Sequence, residues 1–210
     1  PSLVPNKACT LAEALFASAE IAGSDELIVR YALPTLDAVL ALQVHAPAHL
    51  AGAIPQDVQR GRVTHKYFPY YVARCIPALY RAYEHTGRPR YLDGAVAALR
   101  FVAGWVGDDG LLPQVVYPHE VNAYPQWIAP LGDVLRAARL LAVHEHDGRL
   151  AALQNTLLVG QLSSGGLATA RGFGAQMKQR QRGGRLPDFR NNLPVAGWAD
   201  KAFRYLAGEL

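Results

Sequence analysis

Three stretches of this chain set aromatic rings beside groups that move protons or hold charge. The first is His65-Lys-Tyr-Phe-Pro-Tyr-Tyr71. The second is Gln114 followed by Tyr117-Pro-His-Glu-Val-Asn-Ala-Tyr-Pro-Gln-Trp127. The third is Pro187-Asp-Phe-Arg-Asn-Asn-Leu-Pro-Val-Ala-Gly-Trp198. Ring faces suit the C–H side of a sugar, and amides, carboxylates and Arg suit its hydroxyls. Glycoside hydrolysis needs two carboxyl groups, roughly 5–5.5 Å apart for retention and roughly 6.5–9.5 Å for inversion. Glu120, Asp133 and Asp188 are the candidate catalytic acids, with Asp200 as a further carboxylate. Tyr70, Tyr71, Gln114, His119, Tyr124, Trp127 and Arg190 are the candidate substrate contacts. His65 and His119 also have the chemistry of a general acid or base, because imidazole titrates near neutral pH. A Tyr or His base with Arg or Lys holding a uronate would serve elimination instead.

Each of these residues has a plainer alternative. Asp133 and Asp200 fall near the starts of expected helices, where the dipole favours an acid. Glu120 reads equally as a surface loop acid, and His65 and His119 as hydrogen-bonded loop histidines. His144 and His146 sit in a short turn on the opposite face and read as exposed. Tyr80, Tyr83, Phe101, Trp105 and Phe203 read as core. Cys9 and Cys75 read as small buried apolar side chains, with a single bridge as the alternative. Neither has a second ligand at metal-binding spacing. No phosphate loop, dinucleotide fingerprint or nucleophile elbow is present. The sequence therefore calls for no metal and no cofactor.

The elements that must position these stretches are paired helices. Thr10-Leu-Ala-Glu13 has the pattern of a capping box and predicts a first helix ending at Gly23. A second helix over about 26–43 follows, with Pro34 predicting a kink or break. Cys75–Thr86, a turn at Gly87–Pro89 and a helix beyond repeat the unit. Val134 to Gly148 begins it again, and Ala202-Phe-Arg-Tyr-Leu-Ala-Gly208 is a partial fourth copy. After each second helix comes a Gly-led segment: Gly52-Ala-Ile-Pro-Gln56, Gly110-Leu-Leu-Pro-Gln114 and Gly166-Leu-Ala-Thr-Ala170. A two-helix unit cannot bury its apolar stripe alone and must stack on its neighbours. Turns within hairpins are short. Connections between hairpins are long, at 44–67, 107–125 and 162–197, so antiparallel stacking gathers them at one rim.

Composition agrees with one folded domain over 1–210. Half of the residues are hydrophobic and 18 % are charged, and no run is apolar enough to span a bilayer. The net charge of +4 is local. Six basic residues (Arg171, Lys178, Arg180, Arg182, Arg185, Arg190) face only Asp188 between 171 and 190, leaving the rest at −1. The basicity thus belongs to one Gly-containing loop and not to a nucleic-acid-binding face. Neither nucleic acid nor membrane is an expected partner, and a cytoplasmic setting is expected.

The hairpins, with Gly52-Ala-Ile-Pro-Gln56, Gly110-Leu-Leu-Pro-Gln114 and the looser Gly165-Gly-Leu167, resemble the α/α-toroid proteins, especially the six-hairpin glycosidase-like superfamily. The resemblance implies an all-α fold of stacked hairpins, inner and outer helix rings, and an oligosaccharide cleft at the N-terminal ends of the inner helices. About three and a half hairpins stand where a closed ring has about six. The expectation is therefore a partial or open toroid, completed by residues upstream of Pro1 or by a partner such as a second copy. A non-enzymatic helical scaffold that binds protein is the alternative. A terpenoid-cyclase-like toroid is weaker, since no Asp-x-Asp-Asp-type motif appears.

Overall fold

A computed structural model describes residues 2–142, 147–171 and 196–207. Helices dominate, and the strands are two residues each. The first helix, α1 (Pro5–Ala22), ends at Gly23, which adopts φ 63° and returns its N–H to the Ala19 carbonyl. It begins five residues earlier than Thr10 predicts, with Pro5 in its first turn, where no backbone donor is needed. Thr10 is therefore inside the helix, and its hydroxyl donates to the Asn6 carbonyl. The capping-box reading fails because Val4 and not Thr10 is the N-cap, and Glu13 pairs with Arg136 instead.

The second helix answers Pro34 with a wide turn. Ile28–Ala32 is π-helical and runs directly into α2 (Leu33–Leu40). Proline donates no hydrogen bond, and a widened turn accommodates it without breaking the helix. The second hairpin is α4 (Ile76–Thr86) and α5 (Pro89–Gly104), after a short α3 (Pro69–Ala73). Gly87, at φ 64°, closes α4 on the Tyr83 carbonyl, and Pro89 opens α5. The third hairpin is α6 (Leu131–Leu141) and α7 (Asp147–Val159). Gly148 lies in the first turn of α7 rather than in the connection, and His144 and His146 lie outside the described residues. The last helix is α8 (Ala196–Leu206).

Helices α1, α4, α6 and α8 pack side by side in chain order, while α2, α5 and α7 each pack against the preceding helix of their own hairpin. One core runs between them. It holds Cys9, Phe16, Leu36, Ile76, Leu79, Tyr91, Leu99, Leu131, Leu153 and Tyr205, all buried. Cys9 and Cys75 are both free and buried. Phe101 is core, and Tyr83 and Trp105 pack partly buried against it. Phe203 departs from the expectation at 37 % exposure, because α8 meets the stack through Ala202 and Tyr205 instead. Among the described residues, no helix is long and apolar enough to cross a membrane.

The Gly-led segments explain how consecutive hairpins are held. Gly52, at φ +89°, lies against α5 so closely that a Cβ there would stand 1.9 Å from the Ala97 carbonyl oxygen. Gly110, at φ +70°, meets α7 in the same way, 2.3 Å from the Ala152 carbonyl oxygen. Each segment thus docks on the second helix of the next hairpin, and only glycine permits both the backbone angle and the approach. Buried Gln43 secures the first of them, its Nε2 donating to the carbonyls of Gly52 and Gly94.

Candidate functional site at the long-loop rim

Short strands join the long connections to one another. β1 (Ser2–Leu3) pairs with β2 (Val58–Gln59), which pairs with β3 (Arg62–Val63). Tyr67 bridges to Val116 in β4 (Val115–Val116). β4 forms a hairpin with β5 (Val121–Asn122), and β6 (Gln126–Trp127) pairs with β7 (Ala170–Arg171). His49 adds a side-chain bond to the Pro118 carbonyl, 3.2 Å away. The first described residues and the described parts of all three long connections therefore meet at one rim, beside the N-terminal ends of α3 and α6.

The aromatic stretch 65–71 is folded onto this rim by α3, which Pro69 starts. Its rings form a cluster. Tyr70 and Tyr71 meet edge to face at 4.9 Å between centroids, and Phe68 stands 5.1 Å from Tyr71 and 5.7 Å from Tyr70. Tyr70 is buried and Tyr71 half-buried. Burial, with Tyr71 adding to it, pushes the Tyr70 phenol far above its ordinary value, while Arg74 and a hydrogen bond from Trp127 pull the other way. Since an indole only donates, the Tyr70 oxygen accepts from Trp127, which ties the second loop to the first.

Asp133 stands in the first turn of α6 and is buried. Arg74 Nε donates to one of its oxygens at 2.6 Å, and Lys201 Nζ on α8 to the other at 3.2 Å. The Arg74 guanidinium also lies 5.8 Å from the centre of the Tyr71 ring. Beside Asp133, Gly132 lets α8 approach so closely that a Cβ would fall 2.8 Å from the Ala202 nitrogen. Further along α6, Arg136 pairs with Glu13 of α1 and lies 5.8 Å from the centre of the Tyr205 ring. Three helices of the first row are thus linked by charge at this end of the stack.

The remaining candidates are distributed differently. Glu120 and His119 are exposed in the turn of the β4–β5 hairpin, where the Tyr117 N–H donates to the Glu120 carbonyl. Gln114 is half-buried and accepts from Asn122 Nδ2 at 3.5 Å. Tyr124 is 38 % exposed, between β5 and β6. His65 bonds the Tyr67 hydroxyl at 3.2 Å. Asp200 and Trp198 are placed on α8. Asp188, Arg190 and the basic run after Arg171 lie outside the described residues. The structure therefore brings together Tyr70, Tyr71, Trp127 and Asp133. It adds Phe68, Arg74 and Lys201, whose only signal in the sequence is the position of Phe68 and Arg74 beside the aromatic run.

Tyr70 yields a pH prediction. Its folded phenol is raised, so the stabilisation from keeping it neutral is complete below the unfolded value near 10. That stabilisation is lost as pH climbs above about 10 toward the folded value, because only the unfolded chain ionises there. Tyr70→Phe should remove this share of alkaline sensitivity and cost about 1 kcal/mol at neutral pH through the lost indole bond. Urea unfolding at pH 7 and pH 10.5 checks both; an unchanged alkaline loss in the variant contradicts the assignment.

No family of known proteins matches the sequence, and no curated protein sequence matches it. Among solved structures, the chain is similar to one described as a novel alpha-amylase from Clostridium perfringens, with a TM-score of 0.65 and 14 % identity. The alignment covers 100 % of this chain and 56 % of that one. At such identity the likeness concerns the fold alone, and this chain spans little more than half the length of that enzyme.

Proposed function

We propose that the chain is a carbohydrate-active domain of open (α/α)-toroid type, holding an oligosaccharide at the long-loop rim. The observation that carries this reading is the meeting of Tyr70, Tyr71 and Trp127, from two separate loops, beside the ion-paired Arg74–Asp133–Lys201 group, in which Asp133 is buried. Tyr71 and Trp127 are half-buried and supply ring faces, with Tyr124 exposed on the same loop as Trp127. Tyr70 is too buried to be a platform and holds Trp127 in place. Likeness in fold to an alpha-amylase supports the same substrate class.

Within this reading Asp133 positions cations rather than protonating a leaving group. Both of its oxygens already accept charged bonds, whereas a general acid must carry its own proton to the glycosidic oxygen. Glu120 and Asp188 are the carboxyls assigned to any turnover, with Arg190 and His119 as sugar contacts. The test is tryptophan fluorescence titration with a neutral malto-oligosaccharide and with an oligouronate, paired with a reducing-end assay. Trp127→Ala and Tyr71→Ala should each weaken saccharide binding about tenfold, the scale of one lost ring contact. Glu120→Gln should abolish any sugar release without that loss of binding. If no saccharide binds, or if both ring variants bind as the parent does, the reading falls.

The exposed apolar residues of the first hairpin favour the second reading, a scaffold. Leu11, Val29 and Tyr31 are 60 %, 61 % and 47 % exposed, and Ile21 is 90 % exposed. An unpartnered flank of this kind invites a second copy or further hairpins. Light scattering over a concentration series distinguishes a monomer from a self-associating stack.

A further inference from the structure

Arg74 is held through one nitrogen only. Its Nε donates to Asp133 at 2.6 Å, and among the described residues no hydrogen bond reaches Nη1 or Nη2. Arg136 Nε and Arg139 Nη1 are buried without a partner, but neither Arg74 Nη is a buried orphan of that kind, so both meet water. The side chain is 25 % exposed, and its guanidinium lies 5.8 Å from the centre of the Tyr71 ring. A guanidinium is planar and keeps its charge at every ordinary pH. One part of this group is therefore fixed on a buried acid, while a fork of N–H donors opens beside an aromatic ring.

The charge of the group does not cancel. Asp133 brings one carboxylate, whereas Arg74 and Lys201 bring two cations. Lys201 Nζ meets the second Asp133 oxygen at 3.2 Å from a side chain that is 42 % exposed. Among the described residues, no second carboxylate pairs with either cation. Further along α6 the count is even, since Arg136 has Glu13. One positive charge is thus left beside the rings of the rim, where half-buried surroundings screen it less than open water would.

A neutral sugar leaves that charge unanswered. An anion with two oxygens on one edge answers it, through two parallel hydrogen bonds from the fork. We propose that the rim holds an acidic saccharide, the Nη edge of Arg74 pairing with an anionic group of a sugar seated among the Tyr71 and Trp127 rings. This names the substrate class of the site and rests on the saccharide reading above. Asp133 is then the positioning residue, since its bond to Nε sets the plane of the fork, and Lys201 adds charge. A uronate carboxylate and a phosphate ester both present the required edge, and the probes separate them.

The experiment is a tryptophan fluorescence titration of the whole chain with maltotriose, the same trimer oxidised at C6 to the triuronate, and maltotriose 6-phosphate. At least one acidic trimer should bind about tenfold more tightly than maltotriose, the scale of one charged double hydrogen bond. The tighter of the two identifies the acid as carboxylate or phosphate. Arg74→Lys keeps a cation for Asp133 but has no fork; it should weaken the preferred acidic trimer about tenfold and leave maltotriose within about twofold. Lys201→Gln, at a half-exposed position, removes the surplus charge and should weaken the acidic trimer about threefold. Trp127→Ala should weaken acidic and neutral trimers alike. Maltotriose binding as tightly as both acidic trimers overturns the inference while the saccharide reading stands, and so does a folded Arg74→Lys variant that keeps the parent's preference. Acidic binding untouched by Trp127→Ala also overturns it, by placing the anion away from the rim. If none of the three trimers binds, the saccharide reading itself falls and this inference with it.

Discussion

Gly52→Ala should destabilise the protein by about 3 kcal/mol or more, well beyond an ordinary glycine substitution. Two costs coincide at this position. The backbone is left-handed at φ +89°, which penalises any residue with a Cβ by about 1–2 kcal/mol. The new methyl would also sit 1.9 Å from a main-chain oxygen of α5, and helix backbone cannot swing aside as a side chain does. Gly87→Ala is the matched control: it shares the angle, φ +64°, but nothing lies within 4 Å of its would-be Cβ. It should cost about 1 kcal/mol, the conformational part alone. Gly110→Ala should behave like Gly52→Ala, because it too would meet a helix carbonyl. Urea unfolding followed by circular dichroism measures all three. Equal losses for Gly52→Ala and Gly87→Ala would show that the docking contact contributes nothing.

Asp133→Ala should cost about 2–3 kcal/mol. Removing the acid leaves Arg74 and Lys201 facing each other with no counter-charge, and breaking a buried pair in this way typically costs about 3–5 kcal/mol. The figure is lowered here because the partners keep partial access to water, with side chains 25 % and 42 % exposed, while that of Asp133 is 7 % exposed. The loss should change little with salt, since the acceptor is buried. The triple variant Asp133→Leu, Arg74→Met and Lys201→Met should recover most of the stability, because an apolar replacement for the whole charged group leaves no orphaned charge. If the triple variant is no more stable than Asp133→Ala, the charge is not what the contact provides. A further outcome follows for function: Asp133→Ala should also weaken saccharide binding, through Arg74 and the Tyr71 ring beside it.

Much of the architecture was legible in the residues. Gly23 and Gly87 end helices at the predicted places, since a residue that tolerates positive φ marks a helix end wherever it stands. The repeated Gly-led segments announced a repeated unit, but not that they dock on the next hairpin. Gly52 meets Ala97 and Gly110 meets Ala152, each on the following hairpin. Local signals misled where two mechanisms compete. Thr10 and Glu13 have the spacing of a cap, yet Val4 and Pro5 start the helix a turn and a half sooner. The single-residue pattern could not tell that Glu13 is spent on Arg136, 123 positions away.

Hydrophobic spacing and glycine positions depend on neighbours a few residues off, so the chain alone settled that its helices pair and that its long connections share one end. Which side chains meet there is a matter of separations of tens of residues. The pairing of Asp133 with Arg74, 59 positions earlier, and with Lys201, 68 positions later, came only from the packing of α6 against its neighbours. The same packing divided a set of look-alike aromatics by role: it buried Tyr70 behind Trp127 and left Tyr124 in water. Residue type sets what a group is able to do, but burial and partner set what it does, and both are properties of the folded arrangement.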